Sequence, residues 1–235
     1  MKGKKKKYKH IFFDLDRTLW DFDKSAFQTF EEIFDDYQLK EKGIDSFAEF
    51  VSQYRKNNDM LWRYYRRGEI KKEILSLQRW EITLHDFNID DIELATRISK
   101  HYIERSPLKV NLFPYTHEIL SYLKDHYYLH VITNGFVEVQ QTKLTAGDLR
   151  KYFTQIITSE EAGAKKPEKR IFEYALDKTG ANLSESLMIG DDIDVDIQGA
   201  KNIEMDQLLV NHAGIDHELV PTFEVADLQG LRELL

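Results

Sequence analysis

Two carboxylates stand two residues apart in Asp14-Leu15-Asp16-Arg17-Thr18-Leu19, directly after the run His10-Ile-Phe-Phe. One member of such a pair can attack phosphorus, because an aspartate nucleophile splits a hydrolysis into two easier displacements through an acyl phosphate. The other can protonate the leaving oxygen and later take a proton from the attacking water. Two anions facing a dianionic phosphate repel it, so the pair calls for a cation. Magnesium suits, since it is held by one or two carboxylates together with waters and substrate oxygens. Asp191 closes another apolar run and offers a further carboxylate, while Lys166, just before Pro167, can neutralise charge on the transferring group. Thr133-Asn134-Gly135 ends a third run ahead of a helical pattern, where backbone N–H groups and a hydroxyl face outward for phosphate oxygens.

These residues need elements that bring them together. The runs His10–Asp14, Tyr128–Thr133, Gln155–Thr158 and Leu187–Asp191 each end in a polar or acidic residue, and Gln207–Val210 follows as a fifth. Continuous rather than alternating apolarity marks a strand buried on both faces. Helical spacing separates the runs: Ile119, Leu120 and Leu123; Ile171, Phe172, Ala175 and Leu176; Ile197, Ala200 and Lys201. Strand alternating with helix predicts an α/β fold with a parallel sheet and helices on both faces. Ligands bind such sheets beyond the carboxyl ends of the strands, where Asp14, Thr133 and Asp191 would stand.

Residues 20–106 differ in character. Apolar residues recur there at helical spacing: Phe27, Phe30, Phe34 and Tyr37; Phe47, Phe50, Val51 and Tyr54; Ile70, Ile74 and Leu77; Ile92, Ala95, Ile98 and Tyr102. No proline interrupts them before Pro107. We expect an all-helical insertion at 20–106, with 1–19 and 107–235 forming the sheet domain.

No one of these pieces is specific; their order is. With paired Asp, then a strand-end Thr, then Lys-Pro before a helix, then Gly-Asp-Asp, the sequence resembles the haloacid dehalogenase (HAD) superfamily of hydrolases across nearly its whole length. That resemblance implies a Rossmann-like domain with an inserted helical cap. It implies Asp14 as nucleophile and metal ligand, and Asp16 as acid/base whose main-chain carbonyl also meets the metal. It further implies Asp191 as the third protein ligand to Mg2+, Thr133 and Lys166 as phosphate holders, and Asp196 as the residue orienting Lys166 or a metal-bound water. Arg17 departs from the pattern, where a smaller or acidic residue is common. Lys165 competes for the lysine role, and the register against Pro167 favours Lys166.

Within the superfamily, Ile132–Phe136, Ser159–Gly163, Lys166–Leu176 and Pro221–Val225 look like the bacterial pyrimidine 5′-nucleotidases. The implied substrate is a small phosphate ester, a nucleoside monophosphate. The expected insertion carries Trp62, Tyr64 and Tyr65 beside Arg63, Arg66 and Arg67, with Gly68 as a helix stop. Trp62 and Tyr65 are candidate base contacts, since an aromatic face stacks on a nucleobase; their helical spacing with Leu61 equally suits internal packing. The alternatives are a phosphosugar or other small-metabolite phosphatase, a phosphosugar mutase, a dehalogenase, and a silent module holding a partner in an acidic cleft. Asp16 argues against the dehalogenase, whose chemistry needs neither metal nor a second acid.

Composition narrows the field further. Setting Lys2, Lys4, Lys5, Lys6, Lys7 and Lys9 aside from the 33 bases leaves 27 against 41 acids, about −14. A body that acidic repels a nucleic-acid polymer, and the lysine run reads as a solvated end. The Asp192/Asp194/Asp196 triplet is no calcium loop, because Ile197 and Ile203 stand where Gly and Glu are required. No dinucleotide or P-loop glycine motif occurs. No apolar run approaches the roughly 18 residues of a membrane span. Absence of cysteine and of a signal-peptide pattern leads us to expect a cytoplasmic protein, monomeric or weakly dimeric, with no membrane partner.

Overall fold

The computed structural model describes residues 7–235. The described residues divide into two compact units, one built from 7–22 and 110–235 and the other from Asp23–Lys109.

The first unit holds a six-stranded sheet, and every pairing in it is parallel. Its strands are β1 (His10–Phe13), β2 (Tyr128–Thr133), β3 (Gln155–Thr158), β4 (Ser186–Gly190), β5 (Asp206–Val210) and β6 (Phe223–Val225), in the order β3-β2-β1-β4-β5-β6. β1 sits centrally, with His10 opposite Tyr128 on one side and Ser186 on the other. The carboxyl ends of β1, β2 and β4 therefore finish within two residues of one another, and Asp14, Thr133 and Asp191 open on one edge.

Successive side chains of a strand point to opposite faces, and both faces here are covered. Ile11 and Phe13 join Leu129 and Val131 against α5 (Thr116–Lys124) and α6 (Val137–Ala146), through Ile119, Leu120, Leu123 and Leu144. Phe12 faces the other way, with Ile132 and Met188. That side is covered by Ile171, Phe172 and Ala175 of α7 (Lys169–Thr179), and by Ala200 of α8 (Gln198–Lys201). Each fully buried Phe contributes about 1.5–3 kcal/mol. Double-sided burial is why these strands carry adjacent apolar residues rather than an alternating pattern.

The second unit contains no strand, one 3₁₀ turn (Ser106–Leu108) and four α-helices: α1 (which starts at Phe22 and runs Phe22–Asp36), α2 (Phe47–Arg66), α3 (Lys72–His85) and α4 (Ile92–Arg105). Ser46 caps α2 by accepting from the Glu49 N–H at 3.2 Å, and Asp91 caps α4 from Leu94 at 2.8 Å. Gly68, at φ 74°, lies two residues past the end of α2. An aromatic core forms where Tyr54 meets Phe30 at 4.7 Å and Trp80 at 4.3 Å between ring centroids, with Tyr102 at 5.3 Å from Trp80. The Ile70/Ile74/Leu77 stripe does not form the inner face of α3. Ile74 is exposed, Ile70 precedes the helix, and Leu75, Trp80 and Leu84 are buried instead. Seating the Trp80 indole in the aromatic core removes more apolar area from water than Ile74 could, and that rotates the helix.

Of the N-terminal lysines, Lys2, Lys4, Lys5 and Lys6 lie outside the described residues. Lys7 pairs with Asp206, and Lys9 with Glu185 at 2.6 Å. No helix among the described residues is long and apolar enough to cross a membrane.

Candidate active site

The site begins where β1 stops. The Asp14 N–H still donates to the Ile189 carbonyl at 2.8 Å, so its backbone is held by the sheet while its side chain leaves it. The chain then folds back: Leu19 and Trp20 both donate to the Leu15 carbonyl, at 3.0 and 2.9 Å, and Arg17 donates to Trp20 at 2.7 Å. Arg17 takes the left-handed conformation (φ 65°) that this turn requires. Its guanidinium lies over the Phe22 ring at 4.9 Å.

Lys166 is the hub. It is buried, and its Nζ donates to Asp14 Oδ1 at 2.5 Å and to Asp196 Oδ1 at 2.6 Å. Its main chain is braced by the Asn134 carboxamide, which accepts from the Lys166 N–H and donates to its carbonyl, both at 2.9 Å. The Asn134 side chain is thus engaged with Lys166. Lys165 is only half-buried.

Asp196 rides on a π-helical turn, Ile193–Ile197, whose start Asp192 caps by accepting from the Asp194 and Val195 N–H groups at 3.0 Å. The turn brings Asp196 over Gly190. A Cβ at 190 would lie 2.4 Å from Asp196 Oδ2, so only glycine fits there. Asp191 accepts from the Thr18 hydroxyl at 2.9 Å.

Carboxylate oxygens of Asp14, Asp191 and Asp196 all lie within 4.8 Å of one another. Burial pushes Asp14 up to about 7, with Asp196 and Asp16 adding to the rise and Lys166 opposing it. Burial, then the Asp14 charge, pushes Asp191 up to about 7 against the Thr18 hydrogen bond. Burial likewise lifts Asp196 to about 6, with Lys166 working the other way. Burial disfavours the Lys166 ammonium, but Asp14 and Asp196 outweigh it and hold it above the ordinary lysine range. Three crowded, buried carboxylates with one ammonium are short of positive charge, and oxygen ligands in this number suit a hard divalent cation. The donor set therefore fits magnesium.

Asp16 takes no part in that cluster. Its carboxylate turns toward α6, where Gln140 Nε2 donates to one oxygen at 2.7 Å and Lys143 Nζ donates to the other. Gln140 also donates to Thr133 Oγ1 at 3.1 Å, and the Gly135 N–H donates to the same hydroxyl at 3.0 Å. Gln140, Lys143 and Thr18 were missed by sequence reasoning. The available signal was the lack of an apolar stripe in Val137–Ala146, whose inward face is Gln140, Lys143 and Leu144. Of the two aromatics singled out in the helical unit, Tyr65 is buried and Trp62 half-buried, their ring centroids 5.5 Å apart.

With fold and site in view, the chain belongs to the haloacid dehalogenase-like hydrolase family, whose model matches residues 11–210. It is 32% identical over 232 residues to the pyrimidine 5′-nucleotidase YjjG of Escherichia coli, covering 97% of this chain and 98% of that one. It is 29% identical over 234 residues to the pyrimidine 5′-nucleotidase PynA of Streptococcus pneumoniae, covering 97% and 95%. The fold matches the magnesium-bound crystal structure of the HAD-hydrolase YfnB of Bacillus subtilis with a TM-score of 0.87, at 24% identity, over 97% of this chain and 99% of that one.

Proposed function

We propose that this enzyme is a magnesium-dependent phosphoric monoester hydrolase that works through a phosphorylated Asp14, with pyrimidine nucleoside 5′-monophosphates as substrates. The observation that carries the chemistry is the separation of two carboxylate environments on one turn. Asp14 lies in the crowded cluster with Lys166, and Asp16 lies outside it. The substrate class rests on the near-full-length likeness to two pyrimidine 5′-nucleotidases.

In the first half-reaction an Asp14 oxygen bonds to phosphorus as the bond to the nucleoside oxygen breaks, and Asp16 gives that oxygen its proton. Lys166 balances charge on the transferring group, while Thr133 offers its hydroxyl proton to a phosphate oxygen. In the second half, water attacks phosphorus and Asp16 takes its proton. The Asp14 carboxylate and inorganic phosphate are released. Asp14, Asp191 and the main-chain carbonyl of Asp16 would hold magnesium, which supplies charge neutralisation for the carboxylates and the phosphoryl oxygens. Asp196 keeps Lys166 aimed at Asp14.

The test is a hydrolysis panel in magnesium, read by phosphate release. It sets pyrimidine and purine nucleoside monophosphates beside hexose phosphates and other small esters. We expect the highest kcat/KM for pyrimidine monophosphates, deoxy forms included. A panel led by sugar phosphates would replace the nucleotide with another metabolite; no phosphate release from any ester would overturn the phosphatase.

A further inference from the structure

We propose that Lys143 and Gln140 are positioning residues for Asp16, holding its carboxylate where it can exchange a proton with the leaving oxygen and with water. The inference rests on the acid/base role of Asp16.

The geometry is specific on both sides. Each Asp16 oxygen has its own donor, Nζ of Lys143 on one and Nε2 of Gln140 on the other. Lys143 and Gln140 stand three residues apart on α6 and so share a helix face. Both are buried. The Lys143 ammonium is walled by the Trp20 ring at 5.7 Å and the Phe22 ring at 5.2 Å from their centroids. Those aromatic faces attract the cation and keep it beside Asp16.

Gln140 makes a second link. The same Nε2 reaches Thr133 Oγ1 at 3.1 Å, so the proton-transfer carboxylate and the phosphate-facing hydroxyl are tied to one amide. The arrangement comes at the expense of stability. Gln140 Oε1 is buried without a hydrogen-bond partner among the described residues, and a Cβ at 135 would lie 1.8 Å from Nε2, so a larger residue there must push the Gln140 side chain aside. A buried ion pair adds little to stability compared with apolar residues of similar size. Leucine or methionine at 143 would pack well against Trp20 and Phe22. An inward helix face that gives up such packing points to a role in the chemistry.

Leaving-group dependence tests this. An alkoxide leaving from uridine 5′-monophosphate needs a proton in the transition state, whereas 4-nitrophenolate does not, and kcat/KM reports the steps up to phosphorylation of Asp14. The full chain is assayed in magnesium as Lys143→Met, Gln140→Leu and Lys143→Arg, with Asp16→Asn as reference and thermal melts alongside. We expect Lys143→Met and Gln140→Leu to lose about 10–100-fold in kcat/KM on the nucleotide and less than about threefold on the aryl ester, with Lys143→Arg recovering most of the loss. Equal losses on both esters, or none, while Asp16→Asn does distinguish them, would overturn the positioning role and leave Asp16 as acid/base. If Asp16→Asn distinguishes nothing, the acid/base reading falls and this inference falls with it. Gln140→Leu keeps the question open to refutation should Lys143→Met fail to fold.

Discussion

The Asp196 carboxylate occupies the place where a side chain of Gly190 would begin: a Cβ at 190 would stand 2.4 Å from Asp196 Oδ2 and 2.5 Å from its Cγ. Strand end and Lys166 are therefore coupled, since the same carboxylate receives Lys166 at 2.6 Å through its other oxygen. A methyl group at 190 must displace Asp196, and Asp196 cannot move without releasing Lys166.

For that reason we expect Gly190→Ala to lower kcat by at least about tenfold and to cost about 1–3 kcal/mol of stability, the usual range for overpacking. Steady-state kinetics with a urea titration checks both. An unchanged kcat in a folded variant would show that Lys166 does not depend on Asp196 for its position.

Asp14→Asn keeps the shape of the proposed nucleophile and removes its oxygen anion. Turnover should fall by about 10³-fold or more, as when a nucleophile is deleted elsewhere. Chelation should abolish wild-type activity and magnesium restore it. Binding also stabilises the folded state, by about 2.7 kcal/mol at a hundredfold excess over Kd, which for a chain of this size is a Tm rise of about 5–10 °C. The rise should shrink in Asp14→Asn. A magnesium-independent Tm, or full turnover in chelator, would remove the metal from this site.

The buried His130 of β2 sets a pH dependence unrelated to catalysis. Its ring stacks on Phe12 at 4.8 Å and meets His10 at 3.1 Å between Nδ1 of His10 and its own Nε2. Burial, helped by His10, lowers it to about 4. The unfolded chain binds a proton below about 6.5 that the folded chain refuses, so stability is lost as pH falls from about 6.5 toward 4. At pH 5 the loss should be between about 1 and 2 kcal/mol relative to pH 7.5. Urea titrations at the two pH values should show a smaller difference for His130→Leu. An equal difference would assign the acid sensitivity to other groups.

Trp62 and Tyr65 separate by burial. Tyr65 is buried, so Tyr65→Ala should destabilise by about 3–5 kcal/mol, as other large aromatic truncations in cores do. Trp62 is half-buried. If its ring meets a nucleobase, Trp62→Ala should raise KM for uridine 5′-monophosphate more than for 4-nitrophenyl phosphate. Equal effects on both esters would make Trp62 a packing residue.

Five strands and the α/β alternation were legible in the chain because each of those strands carries adjacent apolar residues, and the polar members, such as His130 inside β2, do not erase that signal. β6 was not legible. Its three residues, Phe223, Glu224 and Val225, lie at the sheet edge, half-buried around an exposed glutamate, and leave no apolar run to read. The candidate catalytic residues were visible as types in an order, since strand ends and turns leave local marks. Tertiary structure alone decided what each one touches. Parallel register, which no local spacing encodes, sets Asp14 beside Asp191, and the π-helical turn adds Asp196, so that carboxylate oxygens of the three lie within 4.8 Å of one another. The turn through Asn134 seats Lys166 rather than Lys165 between two carboxylates. The rotation of α6 puts Gln140 and Lys143 on Asp16, a contact spanning more than 120 positions. Periodicity tells which face of an element is apolar, but a polar face turned inward declares itself only when the partner across the fold is known.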